Sequence, residues 1–375
     1  MAVLFVIAIQ LLFPPLLLAQ ESNPKSACQF LQSWSLHPQG NPIKTTDGKS
    51  FRSGDAFVLY DREEENFEMW YTEFYKPTRE LGIAYAQSQD GLTWQPYQNQ
   101  ENDPLVLRPT RGRWDGRGLE TVSVLKKDGK YIMLYMGYPG MDRRGNIYRG
   151  LGRRKSIGVA FSDDGIHWQK HPDPVLWPEE DWEEPWTKTE FRQGKKSAYQ
   201  DGGLEETAVV WDEENQEFKV WYSAGANLRE KDRTVWKIRI GLAASPDAIH
   251  WEKYSANPVF IPDQTDRWDN KIVGHTHVIP DPRSGYHLFY VGGKGTLKTA
   301  IGHAFSADGI HWQRDPQNPF VRSRLHAGPD DYLVGGPSAV FKDGKFYIWV
   351  MQSSPGKHHF MGDVYNYLYT TPCAD

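Results

Sequence analysis

Cysteine is almost absent from this chain. Only Cys28 and Cys373 occur among 375 residues. At most one intrachain disulfide can therefore form, and in an oxidising compartment that pair can bridge. The Asn-x-Ser/Thr pattern is absent, which removes acceptors for N-linked glycosylation. No excess of positive charge exists either. Lys and Arg number 43 against 48 Asp and Glu, a formal net charge of −5, so nothing points to nucleic acid or an acidic membrane surface. Beyond residue 19 no apolar run is long enough to span a bilayer. Met1 to Ala19 is apolar and ends in Leu-Leu-Ala. It reads as a secretory signal peptide, although it lacks the usual N-terminal Lys or Arg. A membrane anchor is the alternative, against which Pro14 and Pro15 argue. The mature chain, residues 20–375, is then expected to be secreted or periplasmic, monomeric and free of the membrane.

Aromatic residues are in excess instead: 14% of the chain, with 15 Trp and 19 Tyr. Flat rings stack on pyranose faces, which fits sugar binding, but all-β folds are rich in aromatics as well. The chain also repeats. The phrase Ile-Gly-x-Ala-x-Ser-x-Asp-Gly-Ile-x-Trp, followed by a polar stretch and Asn-Pro, runs from Leu81 to Trp94, Ile157 to Trp168, Ile240 to Trp251 and Ile301 to Trp312. Spacings between Gly82, Gly158, Gly241 and Gly302 are 76, 83 and 61 residues. A long period of this kind marks a repeat architecture.

One repeat reads as four strands. Glu206–Trp211 and Phe218–Tyr222 are β-rich runs joined by a polar turn, Ile238–Ser245 is a third, and His250–Tyr254 is a short fourth after a tight turn. Four antiparallel strands form one blade of a β-propeller. First strands align at 55–60, 120–125, 206–211, 275–279 and 336–341, which gives five blades in a single domain. The fifth phrase is split: 363–369 supplies a third strand with no fourth after it, and Trp34–Ile43 resembles the missing fourth. The N-terminus would then close the ring, removing open edges and bringing Cys28 near Cys373. Asp-Gly-x-x-Trp itself is expected to be a hairpin turn with an interblade Trp.

First strands of a propeller line its axis, and the residues aligned at their starts are Asp55, Glu120, Glu206, His275 and Gly336. With these residues, the repeated phrases and the Asn-Pro exits, the chain resembles the five-bladed propeller glycoside hydrolases, the superfamily of families 43, 32, 62, 117 and 130, over residues 30–373. The family-43 pattern places a general base on blade one, a helper on blade two and a general acid on blade three. By position the resemblance implies Asp55, Glu120 and Glu206 in those roles. Blade two departs by carrying Glu where Asp is usual. Cleavage needs one protonated carboxylic acid and one ionised carboxylate, and a third carboxylate beside the acid keeps it protonated by repulsion. Glu205 is expected to point away from Glu206 in an extended strand.

His275 and His277 share one strand face and are expected to contact substrate. No cofactor is required. A structural calcium at the axis is the one that related propellers suggest, though two histidines make a poor hard-cation site. Asp115, Asp201, Asp269 and Asp331 precede the axial positions as turn formers, and Trp114 and Asp115 are candidates for substrate contact. Two insertions lie in loops on the same face. Residues 138–156 carry Arg143, Arg144, Arg149, Arg153, Arg154 and Lys155, which suggests an anionic carbohydrate; a solvated loop paired with the acidic second insertion is the plainer reading. Residues 177–196 carry Trp177, Trp182 and Trp186. Arg79, Arg229, Trp236, His358 and His359 are expected in equivalent loops, Arg79 and Trp236 as subsite walls. The expected activity is glycosidic cleavage of a plant or algal saccharide. The alternatives are a family-130-type phosphorylase and a non-catalytic carbohydrate-binding propeller.

Overall fold

The computed structural model describes residues 30–372, apart from 40, 140–154, 184–202, 231–232, 266, 282, 295–298, 325–331 and 354–363; for the strand residues among 226–236 it describes the backbone alone. The signal-peptide segment, both cysteines, Arg143 to Arg154, Trp186, Asp201, Asp331, His358 and His359 lie outside the described residues, as do the side chains of Arg229 and Trp236.

Strands alternate buried and exposed positions where one face meets a neighbouring sheet, and among the described residues there is no helix. The chain forms successive antiparallel units. Unit one comprises Gly54–Asp61, Asn66–Tyr75, Glu80–Ser88 and Thr93–Pro96. Unit two comprises Gly118–Lys127, Lys130–Tyr138, Ser156–Ser162 and Gln169–Lys170. Unit three comprises Gly203–Asp212, Glu217–Glu230, Arg233–Ser245 and Glu252–Lys253. Unit four comprises Ile272–Pro280, Tyr286–Gly293, Thr299–Ser306 and Gln313–Arg314. Unit five is built from Leu333–Lys342, Lys345–Ser353 and Val364–Pro372, and its outer strand is Ser35–Leu36. Ser35 pairs with Thr370 and Leu36 with Tyr369, so the N-terminal segment completes the last unit as the split phrase implied.

The five first strands meet in a closed order, the first packing against the second and the fifth. A polar contact crosses every junction. Thr121 N donates to Thr72 Oγ1 at 3.3 Å, Ser123 pairs with Thr207 at 2.8 Å, Ser223 with Thr276 at 3.1 Å, His277 with the Ala339 carbonyl at 2.8 Å, and Val58 N donates to Ser338 Oγ at 2.8 Å. Because these groups are buried, each bond offsets a desolvation cost that an orphan would incur. The N-terminal segment is held by a further buried group. Asp315 Oδ2 accepts Leu31 N at 2.9 Å and faces His303, which in turn meets His287 at 2.9 Å.

The repeated turn is structural. In unit two, Asp164 Oδ1 accepts the amides of Ile166 and His167, and Trp168 Nε1 donates to Gly165 O. A Trp of the preceding unit reaches the same carbonyl: Trp70 to Gly165 at 2.8 Å, Trp221 to Gly309 at 2.8 Å, Trp349 to Gly91 at 2.9 Å. The Asn-Pro exits are equally local. Asn41, Asn257 and Asn318 each accept one third-strand amide at 2.8 Å and donate back to that residue's carbonyl.

One register in the repeated phrase differs from the sequence alignment. Gly158, Gly241 and Gly302 pair with Tyr135, Tyr222 and Tyr290, but the matching partner of Tyr71 is Ala84, not Gly82. The reason is steric. A Cβ at Gly158, Gly241 or Gly302 would come within 2.8 Å of a stacked Trp–Tyr pair, and unit one places no Trp there.

Candidate active site

Each first strand is interrupted by a β-bulge at the same level, between Gly54 and Phe57, Glu120 and Val122, Leu204 and Thr207, Gly274 and His277, and Gly335 and Pro337. A bulge re-aims a side chain and is often found beside active sites. Asp55, Thr121, His275 and Gly336 adopt left-handed backbone there, with φ of 39°, 41°, 47° and 44°. For three residues bearing a Cβ this is strained backbone, which persists only where the surrounding fold enforces it.

The strand registers define which residues are equivalent. Phe57, Ser123, Ala208, His277 and Ser338 all lie opposite the same second-strand position. Counting back two residues, the axial set is Asp55, Thr121, Glu206, His275 and Gly336. Glu120 therefore does not occupy the axial position of unit two; it precedes it and is equivalent to Glu205. The pocket at the axis is lined by Asp55, Thr121, Glu206, His275, His277 and Gly336, with the residues that follow the bulges.

His275 Nδ1 lies 3.4 Å from Glu206 Oε1 and 3.9 Å from Asp55 Oδ1. The two carboxyl oxygens are thus no farther apart than the sum of those distances, 7.3 Å. Burial disfavours the His275 cation, but Glu206, Asp55 and Glu205 outweigh it and raise its pKa. Burial raises the pKa of Asp55, with His275 acting against it and Glu206 adding to it. Asp55 Oδ1, Thr121 Oγ1 and His275 Nδ1 are buried without a hydrogen-bond partner among the described residues. In a pocket, such unpaired atoms are sites for a ligand or water.

Behind this set lies a second layer. The Tyr138 hydroxyl donates to Glu120 Oε2, and Lys155 Nζ pairs with Glu205 Oε1 at 2.6 Å. Glu120 is pushed up to about 7, first by burial and then by Asp55, against the Tyr138 hydroxyl and Lys155. Burial alone would lower Lys155, yet Glu205, Glu206 and Glu120 raise it. Glu205 does not turn away from the cluster as extended geometry implied, because the bulge interrupts strict alternation. Lys155, Tyr138 and Glu205 are the residues that sequence reasoning missed. Lys155 carries one usable signal, a cation immediately before the third strand of unit two, which its neighbours in an Arg-rich loop obscure.

Other expected contacts lie elsewhere. His277 lies at the pocket, but its Nε2 is committed to the Ala339 carbonyl, its ring lies 4.9 Å from Phe57, and burial lowers it to about 4. Its committed nitrogen leaves a calcium ion no suitable ligand set there. Among the described residues no group of three or more acidic, His or Cys side chains is arranged for a metal. Trp114 and Asp115 are nearly fully buried away from the pocket: Trp114 stacks on Tyr135 at 5.8 Å and Asp115 pairs with Lys170. The arrangement repeats. Trp182 stacks on Tyr222 with Glu183 bound to Lys253, and Trp268 stacks on Tyr290 with Asp269 bound to Arg314. Trp182 thus belongs to the framework rather than to a roof. Arg79 is exposed at the tip of the second-to-third-strand hairpin of unit one, outside the pocket lining. Trp236 pairs in register with Asn227.

No family model matches the chain. Two curated relatives match: uncharacterised proteins MT1551 and Rv1502 of Mycobacterium tuberculosis, strains CDC 1551 / Oshkosh and ATCC 25618 / H37Rv. Each is 26% identical over 168 residues, 42% of this chain and 51% of theirs. The chain spans about half the length of the curated relatives it matches. Solved structures match more broadly. A complex of BT0996 with RGII superposes with a TM-score of 0.60 at 19% identity, covering 86% of this chain and 89% of that one. A glycoside hydrolase gives 0.61 at 19% identity with the same coverage. A member of the GH130 family of mannoside phosphorylases, in a study of hydrolases that target β-1,2 mannosidic linkages in Candida mannan, gives 0.55 at 16% identity over 90% and 94%. The chain has the fold of these carbohydrate-active proteins.

Proposed function

We propose that the chain is an exported five-bladed propeller that hydrolyses glycosidic bonds of a plant or algal saccharide at the axial pocket. The observation that carries this reading is the pair Asp55 and Glu206 bracketing His275, with their oxygens no more than 7.3 Å apart. Paired carboxyl groups in glycosidases stand about 5–9.5 Å apart. The bound lies inside that window and is compatible with both stereochemical outcomes.

The protonation pattern supports exchanging two roles. Glu120, held near 7, takes the acid role expected of Glu206. Glu206 and Asp55 then supply the ionised carboxylate that activates water or attacks carbon, with His275 as their shared partner. The axial position of unit two is Thr121, so the family-43 pattern is not what supports the reading. Among the described residues, Asp55, Glu120, Glu205 and Glu206 face two cations, Lys155 and His275, which favours a neutral sugar over an anionic one. Lys155 is already paired with Glu205, which favours water over phosphate as the acceptor.

The test is a panel of neutral and uronic oligosaccharides given to the wild type and to Asp55→Asn, Glu120→Gln and Glu206→Gln, with and without inorganic phosphate. Reducing-end release by the wild type and its loss in all three variants is expected. Equal activity in all four proteins would overturn the site, and phosphate-dependent product would make the enzyme a phosphorylase. Export is expected to go with a Cys28–Cys373 bridge, since the segments leading to them are joined by Gln32 N to Pro372 O at 3.2 Å. The intact mass of protein from an oxidising compartment should rise by about 2 Da on reduction; an unchanged mass removes the bridge.

A further inference from the structure

The turn of unit two has a second property that the axial chemistry does not use. Where it meets the exit loop of unit one, an open cleft of about 540 Å³ is lined by Tyr97, Asn99, Ile166, His167, Trp168 and Gln169, with two aliphatic residues. Trp168 is half-buried and fixed. Its Nε1 donates to Gly165 O at 2.9 Å, and its ring meets Trp70 and Tyr131 edge-on at 6.3 and 6.4 Å. Tyr97 is also half-buried. Two aromatic side chains are therefore held in place before any ligand arrives, which limits the ordering cost of binding.

The polar side of the cleft is built from groups with spare hydrogen-bonding capacity. Asn99 Oδ1 is occupied by the amides of Glu101 and Asp103, at 2.8 and 3.0 Å, which leaves its Nδ2 without a partner among the described residues. Gln169 is exposed and its amide is unpaired there, and His167 uses only Nδ1, on Asp164. No Lys, Arg, Asp or Glu lines the cleft. Part of the wall is specific to unit one. The stretch from Tyr97 to Pro104 is longer than the matching stretch from Tyr254 to Pro258, and Asn99 sits in the extra residues.

Fixed aromatic rings, unpaired amides and the absence of charge match one ligand chemistry, a neutral saccharide with ring faces and hydroxyls. A peptide or anion would call for charge or an exposed sheet edge. The cleft is not a subsite of the axial pocket. Ser162, which leads into its turn, pairs with Tyr131, at the opposite end of the strand from the bulge level at Met136. We propose that this cleft is a separate binding site for neutral polysaccharide chains, which holds the protein on its polymer.

The test is affinity electrophoresis in gels containing arabinoxylan, galactomannan, mixed-linkage β-glucan or, as an anionic control, polygalacturonate. The Asp55→Asn protein is run so that no polymer is consumed. Retardation in at least one neutral gel is expected. Tyr97→Ala and Gln169→Ala in the same background should each weaken retention about 10-fold or more, with thermal melts unchanged. Trp168→Ala is avoided because that ring supports Trp70 and Tyr131. Absence of retardation in every neutral gel would overturn the proposal, as would retention undiminished in both variants. Wild-type activity on short oligosaccharides reports on the axial site alone, so failure of either reading is seen separately.

Discussion

Glu120→Gln is expected to lower kcat/KM on an unactivated glycoside by about 10²–10⁴-fold and to remove the alkaline limb of the pH profile. A general acid works only while it holds its proton. Burial, then repulsion from Asp55, pushes Glu120 up to about 7, against the Tyr138 hydroxyl and Lys155. Wild-type activity should therefore fall as pH rises through about 7. Glutamine keeps the shape and loses the proton. A substrate with a good leaving group needs little protonation, so the loss should shrink on an activated aryl glycoside. Tyr138→Phe removes a donor that favours the carboxylate, so the limb should move to higher pH. Stability should change in the opposite sense. With a folded pKa above its unfolded value, Glu120 contributes stability fully present below about 4.5 that is lost as pH rises through about 7. The full difference is about 3 kcal/mol. Glu120→Gln should thus be the more stable protein at pH 8, by denaturant unfolding, with the gap closing in acid. An alkaline limb unchanged in Glu120→Gln would sink the assignment.

The register of unit two is hidden from sequence for a physical reason. The run Glu120-Thr121-Val122 looks like Glu206-Thr207-Ala208, so local similarity aligns the two glutamates. The bulges, however, align Thr121 with Glu206. A two-against-one register leaves no mark in composition or alternation, and the turn between first and second strands varies in length, so counting does not reveal it. Blade architecture is legible because its causes are local: period-two runs, Asp-Gly turns, an Asn that pairs with one neighbouring residue. Ring closure is legible because a phrase lacks its last strand and the N-terminus has one to spare. The pocket depends instead on which atoms a distorted backbone turns inward. Glu205, Lys155 and Tyr138 assemble only once strands from two units are side by side. Trp114-Asp115 stands out in the sequence as a recurrent pair, with Trp268-Asp269 and less openly with Trp182-Glu183, but the recurrence serves the framework.

The second large effect concerns the wedge between units. Three junctions set a Trp against a Gly turn: Trp70 on Gly165, Trp221 on Gly309, Trp349 on Gly91. At the junction of units two and three the turn carries Ala248, fully buried at φ 63°, and the residue in the Trp position is Leu134. The substitution is complementary. A Cβ at Gly309 would lie 2.5 Å from Trp221 Cζ2, which no relaxed contact tolerates, whereas a shorter Leu leaves that volume to the methyl group. Gly309→Ala alone should therefore be strongly destabilising, by overpacking and by left-handed backbone at φ 78°. Trp221→Leu alone removes a fully buried indole and its bond to Gly309 O, at a cost of about 3–5 kcal/mol if truncation to Ala is the guide. The double variant reproduces the Leu–Ala pair already present one junction away. It should be destabilised by less than the sum of the two single variants, with a coupling of about 1–3 kcal/mol. A double-mutant cycle in denaturant measures this directly. Strict additivity would mean that the wedge and the turn do not share the same space.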